Sequence, residues 1–139
     1  HLKLLPHVLF REWRCGKVQF VHGSPKDPLN GYIYPDTDLT LLVCERTDFV
    51  FMGHTHRPFV RDFEGVTYVN VGSCAFPRDH GNLGAVCVFD TCRGNIEILR
   101  FCLRREHEAL KRIASLHSVV LNLFSRVSQD PPYGKLCTH

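Results

Sequence analysis

The sequence predicts an α/β protein whose mixed sheet turns antiparallel toward one edge and which closes on a C-terminal helix. Three observations carry that reading. Strand-like and helix-like segments alternate at first and then give way to hairpins. Phe49-Val50-Phe51-Met52 is a four-residue apolar run, suited to a strand covered on both faces. Leu110, Ile113, Ala114, His117, Leu121 and Phe124 recur at spacings of three and four, which puts one apolar stripe on a helix.

The elements follow in order. Val18-Gln19-Phe20-Val21 reads as a strand that stops at His22-Gly23-Ser24-Pro25. Residues 26–35 are rich in Pro, Asn and Gly and read as a loop. Asp36 or Asp38 is placed to cap a short helix running to about Arg46, with Leu39, Leu42 and Val43 inward. After the 49–52 strand, residues 53–58 form a tight loop. Phe59–Phe63, a Glu64-Gly65 turn and Val66–Val69 read as an antiparallel hairpin. Asn70 to Leu83 is a loop. Ala85–Phe89 and Ile96–Cys102 make a second pair around Arg93-Gly94-Asn95. The helical stripe is expected to be core, and Gln129-Asp130-Pro131-Pro132 ends it. A domain over 1–125 and a loose tail over 126–139 are expected.

Composition narrows the function classes. The chain has 139 residues, enough for one domain. Lys+Arg 17 against Asp+Glu 14 gives +3, and the basic residues form no dense block, so no nucleic-acid surface is expected. No apolar run reaches the ~18 residues that cross a bilayer. Position 1 is His and the only Met is Met52; His1–Phe10 lacks a cleavage-site pattern. A piece of a longer or processed product is therefore expected. The seven cysteines are scattered and contain no C-x-x-C, which argues against a zinc finger or a disulfide scaffold. They read as free, buried thiols in a reducing, cytoplasmic compartment.

Three histidines lie just past strand ends: His22 after Phe20-Val21, and His54 and His56 after Met52-Gly53. An H-x-H pair in extended or tightly turned backbone puts two imidazoles on one side. Gly53 is read as the residue that permits close approach or unusual φ. Loops from neighbouring strands could then gather three neutral imidazoles, the commonest nitrogen ligands of divalent transition metals.

Phe20-Val21-His22-Gly23-Ser24-Pro25 resembles the His-Gly motif of the calcineurin-like metallophosphoesterases. Gly53-His54-Thr55-His56-Arg57-Pro58 resembles their Gly-His-x-His motif, behind an Asp48-led apolar strand. Val69-Asn70-Val71-Gly72-Ser73, followed by Pro77-Arg78-Asp79, resembles the Asn-Pro-Gly-Ser and Pro-Arg segments of the small bacterial and archaeal phosphodiesterase branch. Val71 stands where Pro is usual, and Cys74-Ala75-Phe76 replaces a small-residue run.

The resemblance implies half of a four-layer α/β-sandwich metallophosphoesterase fold and a two-metal site at strand ends. It implies His22 and His54 as ligands of one metal and His56 of the other. Mn²⁺ is the first expectation, with Fe, Zn²⁺, Ni²⁺ or Co²⁺ as other occupants. The implied reaction is hydrolysis of a phosphate ester, the metals holding charge on the phosphoryl oxygens. The family's Asp-x-His, Gly-Asp and Gly-Asn-His motifs do not occur here. The remaining ligands, the bridging Asp among them, and the catalytic His are expected from a missing N-terminal half or a second chain. A phosphate ester is the expected partner, nucleic acid only as a phosphodiester substrate, and self-association stays open. The alternatives are a non-catalytic interaction scaffold of the same fold and an inactive fragment.

The flanking residues carry two readings each. Asn70 is a substrate contact or a loop organiser. Ser73 donates to phosphate or stabilises a turn. Arg57 and Arg78 meet a phosphate or pair with a carboxylate. His22, His54 and His56 themselves could instead cap strands or bond backbone carbonyls. His80 reads as a solvated loop residue, and His107 and His117 as packing or surface residues.

Overall fold

The computed structural model describes residues 4–42, 47–113 and 115–137. Among these residues, eight strands form two sheets. The first sheet has the order β1-β2-β3-β5-β4. It is built from β1 (Val8–Trp13), β2 (Gly16–Val21), β3 (Phe49–Met52), β4 (Phe59–Phe63) and β5 (Val66–Asn70). β2, β3 and β5 run parallel, and β1 and β4 flank them antiparallel. The second sheet pairs β6 (Leu83–Phe89) antiparallel with β7 (Ile96–Cys102). α1 (Arg104–Ile113) and α2 (Ser118–Phe124) follow. The architecture is the mixed α/β arrangement that the segment order predicts.

The apolar run of β3 is covered on both faces, as expected of a central parallel strand. Val50 and Met52 pack with Ile33, Leu39, Leu42, Phe59 and Tyr68 on one side. Phe51 packs with Val18, Val69, Ala85 and Ile98 on the other, which joins the two sheets. The β4–β5 hairpin turns through Glu64 and Gly65, both at positive φ (48° and 78°). That pair of left-handed residues matches the right-handed twist of the strands.

Several expectations need correction. β1 lies in a segment to which the sequence assigned no element. It is a strand because the tight turn at Arg14-Cys15 folds it back on β2, from Trp13 opposite Gly16 to Val8 opposite Val21. The helix expected after Asp38 is a single 3₁₀ turn, Leu39–Leu41, capped by the Asp38 carboxylate. Its expected continuation over 43–46, with Val43, Cys44 and Arg46, lies outside the described residues. The long C-terminal helix is two helices. The His117 ring accepts from Val119 N–H at the start of α2 and breaks the periodicity there. Most of the stripe is not core: Ile113 is 79% exposed and Leu121 38%, and of its described members Phe124 alone is buried, against His107 of α1. Ala114 lies outside the described residues. In the tail, Lys135–Leu136 form β8, parallel to β7.

The cysteines differ from expectation as well. Cys74, Cys92, Cys102 and Cys137 are exposed, and Cys15 and Cys87 half-buried, all without a disulfide; Cys44 lies outside the described residues. Cys102 ends β7, where the apolar run turns its burial over to Leu103. Burial pushes the Cys87 thiol up to about 11.

Candidate metal centre

β2 and β3 are parallel neighbours, so their C-terminal ends lie side by side. The ladder continues one step past β3, where Gly53 N–H donates to His22 O (3.0 Å). That bond delivers His22 and His54 to the same edge. Their rings meet edge to face at 4.7 Å between centroids, and His22 Nε2 lies 2.7 Å from His54 Nδ1. At that distance one nitrogen donates and the other accepts.

The other nitrogen of His54 is unsatisfied. Nε2 is buried and has no hydrogen-bond partner among the described residues. The Tyr32 ring packs against His54 at 4.3 Å, and Tyr34 stacks behind Tyr32. Burial, with His54 and His56 nearby, lowers the pKa of His22 below its ordinary value. A neutral imidazole is the form that can bind a metal.

His56 is held differently. Its Nδ1 donates to Phe76 O at 2.7 Å, which leaves Nε2 as the lone-pair nitrogen. Its own carbonyl accepts from Arg78 N–H (3.1 Å). The structure thus joins His22 and His54 in direct contact and ties His56 to the loop after β5. Among the described residues, no three His, Cys, Asp or Glu side chains are grouped to hold a metal ion by themselves.

The backbone reverses the expectation for Gly53. An added Cβ there would meet only His22 O, at 3.8 Å, and its φ is not positive. The left-handed φ falls on His54 (60°) and His56 (57°) instead. Histidine tolerates that region better than branched residues do, though it costs about 1 kcal/mol or more.

Asn70 organises the loops. It is fully buried. Its Nδ2 donates to Gly53 O (2.7 Å) and to Thr55 Oγ1 (2.9 Å), and its Oδ1 accepts from Gly72 N–H (3.0 Å). Ser73 Oγ accepts from Phe76 N–H (2.9 Å), which closes a turn. The Arg57 guanidinium lies 5.9 Å over the Tyr34 ring. Arg78 is exposed, and its guanidinium has no ion-pair or hydrogen-bond partner among the described residues. His80 Nε2 meets Asp130 O (2.9 Å).

Tyr32 and Phe76 were missed by the sequence reading. Each reaches the histidines through a loop closure that no local spacing signals. A mostly apolar cleft of about 490 Å³ also opens beside His22 and Gly53, lined by Trp13, Phe20, Phe51 and Phe89.

The donor set fits a divalent transition metal: neutral imidazoles, one with an orphaned buried nitrogen. His54 Nε2, without a partner among the described residues, is the nitrogen of that ring left free to hold such an ion, since Nδ1 is engaged with His22.

Residues 2–94 match the model of the calcineurin-like phosphoesterase superfamily domain. An uncharacterized protein of Methanocaldococcus jannaschii is 34% identical, over 71% of this chain and 46% of the relative. A solved hypothetical protein of Pyrococcus horikoshii OT3 superposes with a TM-score of 0.70 at 17% identity, covering 89% of this chain and 52% of that one. A solved metallophosphoesterase from Sphaerobacter thermophilus superposes with a TM-score of 0.65 at 23% identity, covering 88% and 59%. At these identities the two structures speak to the fold alone. The chain spans about half the length of these relatives.

Proposed function

Because the chain belongs to the calcineurin-like phosphoesterase superfamily, we propose that it supplies the later histidine ligands of a two-metal site that hydrolyses phosphate esters. The observation that carries this reading is the His22–His54 contact with the buried, unpartnered Nε2 of His54. Leaving a buried polar nitrogen unpaired costs about 1–3 kcal/mol, and a metal ligand role removes that cost. A scaffold without metal chemistry needs no such arrangement.

Each residue has a role in the proposal. His22 and His54 hold one metal, and His56 the other through Nε2. Phe76 O fixes the His56 tautomer, the outer-shell arrangement that metal-bound histidines commonly have. Asn70 holds the two loops at their spacing. Arg78, exposed and with its guanidinium unpaired among the described residues, is placed to meet an anionic phosphate, and Arg57 and Ser73 are secondary candidates for that contact. Mn²⁺ is the proposed metal, with Fe, Zn²⁺, Ni²⁺ and Co²⁺ as other occupants. Bound divalent ions polarise phosphoryl oxygens and acidify water.

Three neutral imidazoles leave the metal charge uncompensated, so the remaining ligands are carboxylates from elsewhere in the domain, in the same polypeptide or a second chain. The substrate class is a phosphomonoester or phosphodiester, and the proposed compartment is the cytoplasm. Among the described residues no helix is long and apolar enough to cross a membrane.

The test is equilibrium dialysis of the 139-residue chain against Mn²⁺ and Co²⁺, with hydrolysis of bis-p-nitrophenyl phosphate alongside. Weak binding that His54→Ala abolishes, with no turnover by the chain alone, supports the proposal. Binding untouched by both His22→Ala and His54→Ala overturns the ligand assignment.

A further inference from the structure

Among the described residues Arg100 is the largest fully buried side chain, at 0% exposure, and it lies on β7, away from the candidate ligand histidines. Its guanidinium is fully engaged. Nη1 and Nη2 grip the Asp79 carboxylate at 2.6 and 3.1 Å. Nη2 also donates to Leu83 O (2.7 Å), Nε to Gly84 O (3.2 Å) and Nη1 to Tyr133 O (3.2 Å). A buried, forked ion pair with its remaining donors satisfied is a rigid clamp.

The clamp closes on the loop that holds His56. Asp79 is the residue after Arg78, and Arg78 N–H donates to His56 O (3.1 Å). Phe76, three residues before Asp79, accepts from His56 Nδ1. The 76–79 segment therefore grasps His56 at both its ring and its backbone. Upstream, Ser73 Oγ holds Phe76 N–H; downstream, Asp79 is gripped by Arg100, and the longer bond from exposed Arg126 Nη1 to Arg78 O (3.3 Å) is the weaker charged anchor.

We infer that Arg100 is a positioning residue that, through Asp79 and the 76–79 segment, fixes the tautomer and placement of His56. The inference rests on the proposed ligand role of His56 only for its catalytic consequence. The physical coupling is read without metal or substrate. Of the two ring nitrogens, only Nε2 is left to face a metal while Phe76 O stays in place. Without the clamp, the carbonyl drifts and the ring samples the other tautomer, in which Nε2 carries the proton.

The experiment is ¹⁵N NMR of the metal-free 139-residue chain, with the His56 ring assigned by His56→Ala. Wild-type His56 is expected as the Nδ1–H tautomer, with the Arg78 amide protected from exchange. Arg100→Lys keeps the charge pair but loses the fork. It should mix the His56 tautomers and speed Arg78 exchange at least about tenfold, the size of one lost charge-assisted hydrogen bond. Exchange at Val50 and Val69 in the core should not follow. Asp79→Asn should act in the same direction and more strongly; if it fails to fold, Arg100→Lys decides. A folded Arg100→Lys chain with His56 tautomer and Arg78 exchange unchanged overturns the inference. So does a uniform loss of protection, core included, because that is a structural role alone. Absence of metal binding would sink the ligand reading and leave this result standing.

Discussion

Nε2 of His22 and Nδ1 of His54 lie 2.7 Å apart at the ends of two adjacent parallel strands. The contact is a direct product of sheet topology. Parallel neighbours end at the same edge, and one extra ladder bond, Gly53 N–H to His22 O, carries the register into the loops. Two side chains 32 positions apart in the chain are thereby placed within bonding distance.

The first prediction concerns that contact. His54→Ala removes both the partner of His22 and the orphaned Nε2. Mn²⁺ or Co²⁺ affinity should fall at least about tenfold, the scale on which perturbing a metal site acts. Stability should change little or rise, since an unsatisfied buried nitrogen leaves with the ring. Titration calorimetry and urea unfolding read the two effects separately.

Asn70→Ala strips three hydrogen bonds from a fully buried site and leaves Gly72 N–H and Gly53 O without their partner. The cost should be about 2–3 kcal/mol. Urea denaturation should show the midpoint lowered with the slope unchanged. An unaltered midpoint would mean that water replaces the amide.

Two glycines make a contrast. Gly72 has φ +75°, and a Cβ there would lie 2.9 Å from the Ala85 Cβ. Gly72→Ala should cost about 2 kcal/mol or more, from left-handed backbone and overpacking together. Gly53→Ala meets nothing closer than 3.8 Å and should stay within about 1 kcal/mol of wild type. Thermal melts of the two variants under one condition test the pair.

Stability should fall on acidification. His107 is buried, stacks on Phe124 at 3.6 Å between centroids, and has no partner for Nε2 among the described residues. Burial lowers its pKa below 6.5, with Lys111 adding to that and the Ala75 backbone, Glu106 and Glu108 pulling the other way. The unfolded chain therefore binds the proton first, and stability is lost as pH drops through about 6.5 toward the folded value. His22 shifts in the same direction but is exposed, so its share is smaller. Melting temperature should be lower at pH 5.5 than at pH 7.5, and His107→Gln should flatten that difference. A pH slope identical in His107→Gln and wild type would assign the acid sensitivity to other groups.

The strands and turns were legible because their signals are short. The β4–β5 hairpin needs only a Glu-Gly turn between two apolar stretches, and β3 needs only four apolar residues after Asp48. The motif histidines were legible because each stands beside a strand end. β1 was not: Val-Leu-Phe-Arg-Glu-Trp lacks alternation, and its pairing depends on the turn that folds it onto β2. The 110–124 stripe misled because periodicity reports helix formation, while burial needs a partner element; α1 and α2 leave Ile113 and Leu121 in solvent.

By itself, then, the order of residues determined the extended segments and turns from β2 to β7 and the strand ends at which the motif histidines stand, since those depend on neighbours a few positions away. Tertiary structure alone decided that His22 and His54 touch, that Phe76 O selects the His56 nitrogen, and that Arg100 meets Asp79 across 21 positions. Such pairings are set by how the sheets close on each other. Chain closure brings together groups whose spacing in sequence carries no period, so only the packed molecule reveals them.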